Sequence, residues 1–167
     1  NNKIIIFLGV LFLIFSYFTI YKIRNDLDSE YFHLLFVLVI CVSTDIGGYA
    51  FGKFFKGPKL TKISPNKTIS GFIGGLMLSV ISIYLFSIMI KSTYIVKYQI
   101  NVILIILIIS SVSQIGDITI SYFKRLSQVK DTGKLIPGHG GILDRVDGMI
   151  FAFPFFYILN SLNLINF

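Results

Sequence analysis

Charge is scarce in this chain, and negative charge scarcer: 14% of its 167 residues are charged, with eight acidic side chains against fifteen lysines and arginines. A soluble domain carries about a quarter charged residues. That shortage, with 54% hydrophobic residues, seventeen Phe and a mean hydropathy of +0.81, places the chain in lipid. Cysteine is nearly absent. The single Cys41, inside an apolar run, excludes an intrachain disulfide and reads as a small core residue. The first apolar run lacks the small-residue cleavage pattern of a signal peptide, so it reads as a spanning helix. The chain also opens on Asn1-Asn2 with no methionine, so the expectation is a fragment lacking upstream helices.

What is abundant is apolar length. Five runs, 4–21, 33–51, 69–90, 100–122 and 146–167, suffice for a hydrocarbon core of about 30 Å at about 1.5 Å per helical residue. The expected fold is all-α, a polytopic helical bundle forming one transmembrane domain with about five spans and loops at 52–68 and 123–145, leaving no room for a soluble domain. A net charge of +7 could suggest nucleic acid, but its distribution argues against that. Lys53, Lys56, Lys59, Lys62 and Lys67 fill the second connection, and Lys124, Arg125, Lys130, Lys134 and Arg145 the fourth. With Lys3, eleven of fifteen cations lie on one side of a five-span zigzag, against Lys22, Arg24, Lys91 and Lys97. The positive-inside rule then puts both basic loops in the cytoplasm. Asp26, Asp28 and Glu30 would face outward as a solvated surface, with His33 at the outer interface.

The remaining carboxylates converge on one level. Asp45 falls near the inner end of the second span, Asp117 near that of the fourth, and Asp144 and Asp147 open the fifth; Asp131 stays in the loop. Aspartate in lipid is costly, so something cationic should offset it. Gln114, Asp117, Ser121 and Lys124 share one helical face, and Asp144 and Asp147 share another. Hard oxygens of this kind suit Mg²⁺, which binds one or two carboxylates, waters and substrate phosphates. The competing reading is simple pairing of these aspartates with Lys124, Arg125 or Arg145. The stretch from Ser121 to Asp147 adds four glycines, whose backbone N–H groups can approach a phosphate. The other basic loop holds Gly47-Gly48, Gly52 and Gly57, then Ser64, Lys67 and Thr68 before a helix expected near Ile69. Ser64 or Thr68 could cap that helix, and its N-terminus could hold an anion. Gly71 and Gly74-Gly75 could instead serve helix packing. Tyr49 and Phe51 are candidates to stack on a nucleobase.

Ser121-x-x-Lys124-Arg125, Lys130-Asp131 and Pro137-Gly138-His139-Gly140-Gly141-x-x-Asp144-Arg145-x-Asp147 resemble the signature of the phosphatidate cytidylyltransferases, or CDP-diacylglycerol synthases. Ser64-Pro65-x-Lys67-Thr68 and Gln114-x-Gly116-Asp117-x-x-x-Ser121 are similar to further motifs of that family. The resemblance implies transfer of a cytidylyl group from CTP to phosphatidate, giving CDP-diacylglycerol and pyrophosphate. It implies a site at the cytoplasmic face of a multi-pass protein of a bacterial-type inner or plasma membrane. Asp117, Asp144 and Asp147 would hold Mg²⁺, with room for a second cation. Lys124, Arg125 and His139 would act on phosphate charge, while Ser64, Lys67, Thr68, Ser121, Arg145, Gly140 and Gly141 would bind substrate. The implied partners are CTP, phosphatidate and membrane lipids, with a homodimer as a further expectation. Ser70 stands where family members commonly have an acidic residue, making Asp45 the nearest replacement. A non-catalytic transporter or lipid-binding protein with a basic face is the alternative; a transporter would bring intramembrane charge near the midplane. The tandem D-G-x-x-A-R pattern of CDP-alcohol phosphotransferases is missing.

Overall fold

The structure, a computed structural model, describes residues 2–25, 31–61, 64, 67–90, 99–129, 131–133, 141, 143–162 and 164, with side chains except at 2, 3 and 99. Its helices are α1 (Asn2–Asn25), α2 (Phe32–Phe55), α3 (Ile69–Met89), α4 (Gln99–Leu126), the short α5 (Leu143–Val146) and α6 (Met149–Ser161). The first four are long and apolar enough to cross a membrane. The fifth run is divided: α5 is a single turn, and α6 has 13 residues, about 20 Å of helix and two-thirds of a hydrocarbon core. No strand occurs among the described residues.

Lipid tails are as apolar as leucine, so helices here associate through close packing and hydrogen bonds rather than hydrophobic drive. Helices α2 and α3 use glycine for this. A Cβ on Gly47 would lie 2.6 Å from the Gly74 carbonyl oxygen, and one on Gly71 would lie 2.6 Å from that of Gly48. The Phe51 side chain lies directly over Gly74, so Phe51 is spent on this contact. Helix α4 joins through a buried hydroxyl pair: Thr44 donates to the Ile40 carbonyl and accepts from Ser110 at 2.7 Å. The Gln114 amide donates to the Phe72 carbonyl at 3.3 Å.

Helix α6 contains Pro154, which has no N–H for the carbonyl of Ile150 four residues earlier. Ser16 of α1 supplies the donor at 2.9 Å, tying α1 to the first turn of α6. Phe36, Ile40, Ile83, Ile106, Ile109 and Phe156 form a core with almost no exposure. His33, the second residue of α2, is buried against the ring of Phe156. Cys41 is a buried core residue.

The connection after α2 doubles back on itself. Leu60 N–H donates to Lys67 O and Ile69 N–H to Pro58 O, closing an isolated antiparallel bridge between Lys59 and Thr68. Thr68 is the N-cap of α3, accepting the Gly71 N–H at 3.1 Å. Ser70 bonds the Thr68 hydroxyl and accepts the Gly57 N–H at 3.2 Å, so it closes the loop rather than facing the polar cleft beside it. Residues 26–30 and 91–98, where outward loops were expected, lie outside the described residues.

Candidate active site

The C-terminal halves of α2 and α4, the loop before α3 and the α5 turn surround a cleft of about 370 Å³. Its wall includes Ser64, Lys67, Thr68, Asp117, Ser121, Asp144, Arg145 and Asp147, brought together from segments up to 83 positions apart in the chain (64 to 147). Asp45 and Gln114 line it as well. Ser121, four residues after Asp117, reaches it because both share one face of α4.

Two lysines neutralise part of the acidic wall. Lys67 reaches Asp117 Oδ2 at 3.0 Å, and Lys124 sits 3.0 Å from Asp144 Oδ1 and 3.7 Å from Asp147 Oδ2. The two carboxyls that open the last segment are in opposite states. Burial alone would raise Asp144, but the N–H groups of Gly141 (2.8 Å) and Thr132 (2.9 Å) and the Lys124 ammonium bring it down to about 2. Asp147 is pushed up to about 7, first by burial and then by the facing Asp117 carboxylate, with Lys124 only partly offsetting this. Asp144 is thus a saturated anion that holds Thr132 and Gly141, whereas among the described residues Asp147 accepts only the Gly148 N–H, at 3.1 Å, and has Lys124 at the longer distance.

Beneath them, Asp117 Oδ1 and Ser113 Oγ are buried with no hydrogen-bond partner among the described residues. Both press on Gly148: a Cβ there would lie 2.6 Å from Asp117 Oδ1 and 2.5 Å from Ser113 Oγ. A buried carboxylate oxygen facing a second carboxyl that Lys124 only partly offsets is a donor set that fits a hard divalent cation, given one or two protein carboxylates with the rest from phosphate and water. No group of three His, Cys, Asp or Glu able to hold a metal occurs among the described residues, so the fit rests on Asp117 and Asp147.

Other expected residues fall elsewhere. Arg125 is exposed on α4 and does not line the cleft, Phe51 packs on α3, and Gly141 spends its N–H on Asp144. His139 and Gly140 lie outside the described residues. Ser113 and Gly148 went unnoticed in the sequence, although the i, i+4 spacing from Ser113 to Asp117 was there to find.

Comparison with known proteins gives this geometry a context. The profile described as the Cytidylyltransferase family matches residues 1–162. The chain belongs to this family. Among curated relatives, the phosphatidate cytidylyltransferase of Staphylococcus haemolyticus is 41% identical over 149 residues, which make up 87% of this chain and 53% of the relative. That of Staphylococcus aureus strain COL is 45% identical over 136 residues, 78% of this chain and 50% of the relative. The Bacillus subtilis protein of the same name is 40% identical over 149 residues, 89% and 54%. The chain spans about half the length of these cytidylyltransferases.

Proposed function

We propose that this cleft transfers the cytidylyl group of CTP to phosphatidate, releasing pyrophosphate and leaving CDP-diacylglycerol in the membrane. One observation carries the reading: Lys67, Asp117, Ser121, Asp144, Arg145 and Asp147, distant in sequence, line a single polar cleft at one end of an apolar bundle. A lipid phosphate can reach such a cleft from the bilayer while a nucleotide enters from water. The relatives' shared name supports the choice of reaction.

A phosphate monoester oxygen of phosphatidate attacks the α-phosphorus of CTP; the new P–O bond forms as the α–β anhydride bond breaks, and pyrophosphate carries off the electron pair. Such a step is governed by alignment and by neutralisation of charge, so no covalent enzyme intermediate is required. Asp117 and Asp147 are the residues that would hold Mg²⁺, which supplies positive charge to the reacting phosphates. Lys67 and Arg145 bind and orient phosphate oxygens, and Ser121 offers them a hydroxyl. Lys124 is held in place by Asp144 and screens charge at the Asp147 side. The cytoplasm, where CTP is made, is the side on which we place the cleft, in keeping with the cation bias of the loops.

Purified protein given radiolabelled CTP, phosphatidate and Mg²⁺ should form a labelled lipid and release one pyrophosphate per lipid. Absence of any labelled lipid with folded protein would overturn the reading, as would equal transfer from all four nucleoside triphosphates.

A further inference from the structure

The lysines of the cleft each face a carboxylate, but three others nearby face none. Lys53, Lys56 and Lys59 are exposed at the end of α2 and in the loop that follows, and none makes an ion pair among the described residues. The sequence has no acidic residue between Asp45 and Asp117, so this end of α2 and α3 has no carboxylate of its own. Set among the lysines are two bare rings: Phe54 is 83% exposed and Phe55 62%, with their centroids 5.4 Å apart. A purely aqueous surface has no use for the rings, and a surface for acyl chains alone has no use for the ammonium groups. Both belong at headgroup depth, where aromatic rings settle and lysines meet lipid phosphates.

We propose that the end of α2 is a docking surface for anionic phospholipid headgroups, with Phe54 and Phe55 in the acyl boundary and Lys53, Lys56 and Lys59 on the phosphates. It borders the cleft at two points. The Lys53 ammonium lies 5.5 Å from the centroid of the Tyr49 ring, and Tyr49 lines the cleft; Lys59 is bridged to Thr68, which lines it too. Anionic lipid gathered here stands next to the cleft without filling it. The partner is a bilayer lipid with net negative charge, selected over zwitterionic lipid because residues 46–116, which include this surface, carry these three exposed lysines and no carboxylate to receive a choline or ethanolamine.

The chain has no tryptophan, so Phe54→Trp introduces a single indole. The full protein would be placed in phosphatidylcholine nanodiscs in which one lipid fraction is brominated, either phosphatidylglycerol or phosphatidylcholine at equal mole fraction. Brominated phosphatidylglycerol should quench the indole about threefold more than brominated phosphatidylcholine, within the roughly fivefold enrichment expected per lysine near a charged surface. The excess should vanish in the triple variant Lys53→Gln, Lys56→Gln, Lys59→Gln and shrink as salt is raised. Millimolar inorganic phosphate should leave it unchanged. Equal quenching by the two lipids overturns the proposal, as does an excess that survives the triple variant or is removed by free phosphate. Quenching by neither lipid assigns the face to a protein neighbour and overturns it too. Phe55→Trp provides a second reporter should Phe54→Trp fail to fold. No readout requires turnover, so the result stands apart from the proposed transfer reaction.

Discussion

At the scale of single residues, the contrast between Asp144 and Asp147 separates holding from reacting. Asp144 has its acceptors filled by two backbone N–H groups and Lys124. Asp144→Asn should therefore loosen the segment around Thr132 and Gly141, costing about 1–3 kcal/mol for the buried pairing lost, and thermal unfolding in detergent would read it. Asp147→Asn leaves those bonds in place; on the proposed mechanism it should lower turnover by about a hundredfold or more while the unfolding midpoint holds, because it removes charge where phosphates react. Lys67→Ala should raise the KM for substrate more than it lowers kcat, since its ammonium neutralises ground-state phosphate as well as the transition state. Protons compete with cations at Asp147. Its carboxyl is raised to about 7, so it carries its proton below that pH, and a cation must displace the proton to bind. Apparent Mg²⁺ affinity should then be about tenfold weaker at pH 6 than at pH 8. Calorimetric titration that found affinity flat across that range would remove Asp147 from the cation site.

At the scale of elements, the bundle depends on features that a soluble protein would not need. Because no hydrophobic drive pulls helices together in lipid, α2 and α3 approach until backbone meets backbone at Gly47 and Gly71. Gly47→Ala would force a Cβ to within 2.6 Å of the Gly74 carbonyl oxygen. The helices must part, at about 1–3 kcal/mol for an overpacked contact, and the cleft wall at Gly48, Gly71 and Phe72 moves with them. The second device is the carbonyl left by Pro154 and satisfied by Ser16. Ser16→Ala should destabilise by about 1–3 kcal/mol through an unpaired buried acceptor, whereas Ser16→Thr, which keeps the hydroxyl, should restore the unfolding midpoint.

At the scale of the whole molecule, four helices long enough to span and a shorter fifth open the cleft at one end, opposite the end where α1 stops and α2 starts, and the cleft reaches in as far as Thr44 and Asp45 midway along α2. With Cys41 replaced by alanine, a cysteine introduced as Lys59→Cys should react with membrane-impermeant maleimide only after the inner face is opened. One introduced as Lys97→Cys, between α3 and α4, should react from outside. Labelling of both from the same side would refute the placement of the cleft in the cytoplasm.

Much of this was legible in the chain alone, and for a definite reason. Hydropathy and helical spacing are local properties, so the lipid environment, the helical fold, a hydroxyl cap from Ser64 or Thr68 and the shared face of Gln114, Asp117 and Ser121 follow from neighbours in sequence. The tertiary structure decided what depends on distances between helices. It paired Asp117 with Lys67, fifty positions away, rather than with Lys124, Arg125 or Arg145. It set Asp147 against the Asp117 carboxylate with Lys124 at a distance while saturating Asp144, gave Phe51 to helix packing and Tyr49 to the cleft, and divided the last apolar run at Gly148. A carboxylate's chemistry is set by the charges and donors within a few ångströms of it, and in a bundle those come from other helices, whose approach is set by glycines and hydroxyls that leave no periodic mark of their own.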